Sequence, residues 1–140
     1  MPLPVPDGIY CIKLPHSDSC ISDPGQNHYL HLVPRDEDGD AHKIEVQYKA
    51  ERNGYVFRFE KSQKFLTWED VPSKNTKLVP GDKPRYFTIK PHSDEKDFFA
   101  IGIVESKEFH VGMAKERIFP AWVALSDSDA VQPWRFEGVY

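Results

Sequence analysis

Apolar residues recur along the chain at every second position in short runs, and proline, glycine or an Asn/Asp-rich stretch cuts each run. Residues 9–14 put Tyr10, Ile12 and Leu14 on one face before Pro15 stops the run, the alternation of a half-buried strand. A short strand follows around Cys20-Ile21, then strands over 29–33 and 43–48, separated by turn-forming residues. Asn53-Gly54 is a strong turn signal, and after it the order repeats: 55–59 with Tyr55, Phe57 and Phe59 on one face, then 65–68, 76–80 and 85–90. A third pass gives 99–103, 109–111, 121–125 and 133–137.

The repeat is visible in the spacing of inward positions. Ile12, Phe57 and Ile101 are 45 and 44 residues apart, Ile21, Leu66 and Val111 are 45 and 45 apart, and Leu32, Leu78 and Leu125 are 46 and 47 apart. Leu-Val-Pro recurs at 32–34 and 78–80. Trp134 and Phe136 in the closing strand read as the third copy of Ile44/Val46 and Phe87/Ile89. No unit can cover its own apolar stripe, so three units closing on one axis bury all three stripes and remove the sheet edges. A period of this length also suits propellers and solenoids, but three four-stranded units are too few for most propellers. The pattern predicts an all-β fold, a β-trefoil of twelve short strands in one domain over 1–140, with repeats at about 8–50, 51–94 and 95–140.

Composition agrees and narrows the partners. Twelve prolines and eight glycines leave no stretch for a long helix. A net charge of −4, with no long Lys/Arg cluster, argues against nucleic acid and against electrostatic attachment to a membrane. The N-terminus lacks a basic n-region and an apolar h-region, so the reading is a cytoplasmic protein. Cys11 and Cys20 lie across a hairpin; the expectation is thiols, with Cys11 on the face opposite Ile12 as a surface or interlayer residue.

Candidate chemistry is sparse. Asp36, Asp38 and Asp40 have the spacing of a calcium loop, but Ala41 and Gln47 replace the glycine and glutamate such a loop needs. Among six histidines only His28 and His31 are close, and strand parity points them apart, so no metal or other cofactor is expected. No nucleophile motif or phosphate-binding loop is present, and the reading is not an enzyme. Gln132-Pro133-Trp134 has the Gln-x-Trp form that ricin-type sugar-binding trefoils carry in each repeat, yet it occurs once and reads first as core. Trp68, beside Glu69 and Asp70, or Trp122 offers an aromatic platform of the kind a sugar site uses. Two loops stand out: 22–28, where Pro24-Gly25 fixes a turn that presents Gln26, Asn27 and His28, and 112–120, which carries Lys115 and Arg117.

Asp7-Gly8-Ile9-Tyr10 at the start, the three-unit register and the ending Gln132-Pro133-Trp134-Arg135-Phe136-Glu137 together resemble the small cytosolic β-trefoil protease inhibitors of mushrooms, a group of trypsin-type inhibitors and mycocypins. The resemblance implies an inhibitor of trypsin-like serine proteases, with cysteine proteases as further partners. It implies a reactive loop centred on Asn27, flanked by Gln26 and His28, or an alternative one using Lys115 or Arg117; the loop Ser126-Asp127-Ser128-Asp129-Ala130 lacks the Lys or Arg a trypsin-like pocket takes. The alternative is a carbohydrate-binding trefoil with glycans as partners.

Overall fold

The computed structural model describes residues 3–25, 28–34, 39–92 and 97–139. Twelve strands are present: β1 Gly8–Lys13, β2 Ser19–Ser22, β3 His31–Pro34, β4 Ile44–Lys49, β5 Gly54–Phe59, β6 Phe65–Thr67, β7 Val79–Gly81, β8 Phe87–Pro91, β9 Phe98–Ile103, β10 Ser106–Met113, β11 Val123–Ser126 and β12 Trp134–Gly138. Six of them close a ring by antiparallel pairing, in the order β1, β4, β5, β8, β9, β12 and back to β1. The hairpins β2–β3, β6–β7 and β10–β11 cap one end of this barrel. The fold is the β-trefoil that the repeat predicts.

The core follows the alternation. All nine inward markers are buried, none more than 4% exposed, and Ile44, Val46, Phe87, Ile89 and Trp134 join them. Burying a side chain of this size contributes about 1.5–3 kcal/mol. Trp134 also donates Nε1–H to the Val111 carbonyl at 2.9 Å, while Gln132 is spent on the neighbouring Pro133 carbonyl at 2.8 Å. The lone Gln-x-Trp is thus barrel closure.

The proline-rich start lies against the barrel. Val5 is buried, and its carbonyl accepts the Tyr55 hydroxyl at 3.0 Å. Burial pushes the Tyr55 phenol above its ordinary range. Cys11 and Cys20 are both buried, with Sγ atoms 2.6 Å apart between β1 and β2, so Cys11 takes the interlayer position.

One register expectation is corrected. Ile21, Leu66 and Val111 pair across their hairpins with Leu32, Pro80 and Leu125, so Pro80 rather than Leu78 is the counterpart of Leu32. Leu78 instead belongs with Leu30 and Val123: Leu30 N donates to Leu78 O, Leu78 N to Val123 O and Val123 N to Leu30 O, at 2.9, 2.9 and 3.0 Å. This closed ring of three main-chain bonds marks the pseudo-threefold axis. The recurring Leu-Val-Pro triplet misleads because a slip of two residues keeps every side chain on the same face.

Candidate functional site

The ring fixes where the neighbouring side chains go. Leu30 and Val123 point inward, and His31 faces Trp122 across an isolated antiparallel bridge. Tyr29, His31 and Trp122, next to these inward residues, are each at least partly exposed. Tyr29 is 38% exposed and sits edge-on to the half-buried Trp122, ring centroids 5.0 Å apart. The exposed His28 ring lies 5.2 Å from Tyr29, 5.5 Å from His31 and 6.2 Å from Trp122. Lys77, from the second unit, holds its ammonium 5.9 Å over the Trp122 ring and pairs with Glu116 at 2.8 Å.

The parity expectation for His28 and His31 fails here. β3 begins only at His31, so residue 28 lies in the approach to the strand, where alternation does not apply, and both rings converge. Their hydrogen bonds set their roles. The His31 Nδ1 lies 2.6 Å from the Tyr29 carbonyl, which only accepts, so Nδ1 bears a proton and, in the neutral ring, Nε2 presents a lone pair. The His28 Nδ1 accepts the Tyr29 N–H at 2.8 Å, so the neutral ring carries its proton on Nε2. The main-chain N–H and C=O of the single residue Tyr29 thus orient a donor and an acceptor side by side over an aromatic patch.

A groove of about 670 Å³ opens beside this patch, lined among others by Ser22, Asp23, His31, Lys61, Ser62 and Pro120. Asp23 Oδ1 accepts the Gly25 N–H at 2.9 Å, a local turn that needs the left-handed Gly25 (φ 81°) and fixes the carboxylate on the groove wall.

Sequence-derived candidates fall unevenly around it. Gln26 and Asn27, like Asp36 and Asp38, lie outside the described residues, while His28 is in the aromatic patch. Asp40 pairs with Lys43 at 3.2 Å. Lys115 and Arg117 are exposed on the loop that leads from β10 to Trp122. Trp68 is withdrawn as a platform, being 2% exposed under the Arg85 guanidinium, 4.6 Å from its ring centroid. Among the described residues no group of three His, Cys, Asp or Glu is placed to hold a metal ion. The convergence of His28, Tyr29, His31 and Trp122 was not foreseen; the single signal was three aromatic or imidazole side chains within 28–31.

No protein-family model matches the chain, and no curated protein sequence does. Solved structures similar to it include the ricin B-like lectin of Macrolepiota procera in complex with lactose, at 16% identity and TM-score 0.80, covering 96% of this chain and 98% of the lectin. The Rhizoctonia solani agglutinin matches at 15% identity and TM-score 0.82, over 99% of this chain and all of the agglutinin. The Polyporus squamosus lectin, bound to a sialylated human-type influenza-binding epitope, matches at 12% identity and TM-score 0.76, over 94% of this chain and 49% of that one.

These neighbours correct the resemblance to mushroom protease inhibitors, and with it the trypsin-directed function and the serine and cysteine protease partners. The physical reason lies in the residues that carried it. Tyr10 packs edge-on to Phe136, with ring centroids 5.9 Å apart, and Trp134 is fully buried, so the opening Gly-x-Tyr and closing Trp-x-Phe are scaffold positions that say nothing of loop chemistry.

Proposed function

We propose that this protein binds carbohydrate at the patch formed by His28, Tyr29, His31 and Trp122 and in the adjoining groove. The observation that carries the reading is the pairing of oriented imidazoles with aromatic rings. The C–H face of a pyranose packs on an aromatic ring, while its hydroxyls need donors and acceptors in fixed places. The His31 Nε2 lone pair accepts from a sugar hydroxyl, His28 Nε2–H donates to one, and the Asp23 carboxylate accepts from others along the groove. The likeness in fold to lectins seen with lactose and with a sialylated glycan supports the same reading.

A glycan array followed by calorimetry on the best glycan tests it. Binding should be lost or strongly weakened in Trp122→Ala and His31→Ala. Silence across the array, together with unchanged tryptophan fluorescence on adding concentrated sugars, would refute it.

A further inference from the structure

The loop between β10 and β11 carries a second surface that the glycan reading does not use. Residues 115–119 are exposed without interruption, and Phe119 is 91% exposed, with Ile118 at 43% and Met113 at 46%. A large aromatic side chain left this far in water is uncommon, and Ile118 beside it and Met113 at the end of β10 add further exposed apolar surface. The loop is held in place. Ala114 N donates to the Trp122 carbonyl at 2.8 Å, Lys115 N to Asn75 Oδ1 at 2.9 Å, and Asn75 Nδ2 to Glu116 at 3.0 Å. Phe119 is therefore presented on a braced loop.

Charge selects what it faces. Glu116 is neutralised by Lys77, and Asp127 lies 3.9 Å from Lys74. Lys115 and Arg117 take part in no ion pair among the described residues, which leaves two cations beside the apolar side chains. Basic side chains flanking an exposed aromatic are the elements of an interfacial membrane anchor: the ring enters the headgroup–acyl boundary and the cations meet lipid phosphates. No basic run in the sequence is long enough to bind a bilayer by charge alone, and among the described residues no helix is long and apolar enough to cross one. Phe119 adds an apolar contribution beyond what the charges supply.

We propose that the 113–119 loop docks on the surface of an anionic lipid bilayer, with Phe119 and Ile118 entering the interface and Lys115 and Arg117 pairing with headgroup phosphates. The loop runs into Pro120 on the groove wall and Trp122 in the patch, so a docked molecule holds its glycan groove at the bilayer surface. The docking itself needs no sugar.

Full-chain protein sedimented with vesicles of phosphatidylcholine and phosphatidylserine tests this. Wild type should partition at about millimolar lipid, as expected for a single small anchor, and less on pure phosphatidylcholine. Phe119→Ser should weaken partitioning about tenfold, and Lys115→Ala/Arg117→Ala should weaken it and flatten its salt dependence. Val71→Ser, at an 81% exposed apolar position on another loop, should partition as wild type. Failure of the wild type to sediment with anionic vesicles, or Phe119→Ser sedimenting like the wild type, would overturn the assignment. Free-sugar affinity in the same variants separates the two readings. An unchanged value in Phe119→Ser keeps the loop distinct from the groove, and a parallel loss of sugar and vesicle binding overturns docking as a separate function.

Discussion

Replacing Trp122 with alanine removes the ring against which Tyr29 packs at 5.0 Å and over which Lys77 sits at 5.9 Å. The main-chain bridge to His31 and the Val123 bond to Leu30 use backbone atoms and survive the change. Loss of one stacking face removes about 1–1.5 kcal/mol of sugar binding, roughly a tenfold rise in Kd. Because Trp122 is half-buried, stability falls by about 1–3 kcal/mol, less than for a core tryptophan; a domain of ordinary stability stays folded. Trp122→Phe keeps a ring and should retain most of the affinity. Calorimetry with the best array glycan measures the Kd, and intrinsic fluorescence reports the same event in the wild type. Of the three tryptophans, Trp68 and Trp134 are at most 2% exposed, so a spectral shift on sugar addition comes from Trp122. Equal affinity in wild type and Trp122→Ala would refute the stacking argument, as would a saturating glycan that leaves the emission unmoved.

Gly54→Ala should destabilise the barrel by about 1–3 kcal/mol in denaturant unfolding: the new Cβ would stand 2.7 Å from a Val104 methyl, 3.0 Å from Tyr86 Cβ and 3.1 Å from the Phe87 carbonyl, which has no room to retreat. Trp134→Ala should cost about 3–5 kcal/mol, since it empties a fully buried site and leaves the Val111 carbonyl without its indole donor. Hydrogen bonds from Lys77 and then Asn75 hold the Glu116 carboxyl at about 2, below its ordinary 4.5. A lowered folded-state value means that this interaction favours the fold above 4.5 and is lost as the pH falls from there through about 2. Carboxyl NMR titration should show that low midpoint in the wild type and a return toward the ordinary value in Lys77→Met.

The barrel was legible in the sequence because its six strands each carry two or three inward residues, and a period of two survives any turn chemistry between them. Ile12, Phe57 and Ile101 needed nothing beyond alternation to be placed. The caps were less legible. Leu32 and Leu78 look equivalent by spacing, yet the first unit takes fewer residues from Ile21 to its partner Leu32 than the second takes from Leu66 to Pro80. The candidate site was the least legible part. His28 and Trp122 are brought together only by the contact between units one and three, and no local pattern in either segment encodes the other. Trp68 and Trp122 look alike as candidates; burial under Arg85 removes one of them.

The ring linking Leu30, Leu78 and Val123 is made of peptide groups alone. It therefore sets no requirement on the side chains that emerge around it, provided the three inward ones stay apolar. Tyr29 and His31 in one unit, Lys77 in another and Trp122 in the third can differ freely while the backbone beneath them keeps its pseudosymmetry. Such a scaffold separates the task of holding its shape from the task of being recognised. The outer surface can specialise unit by unit, aromatic at one place and basic at the next, without renegotiating the fold.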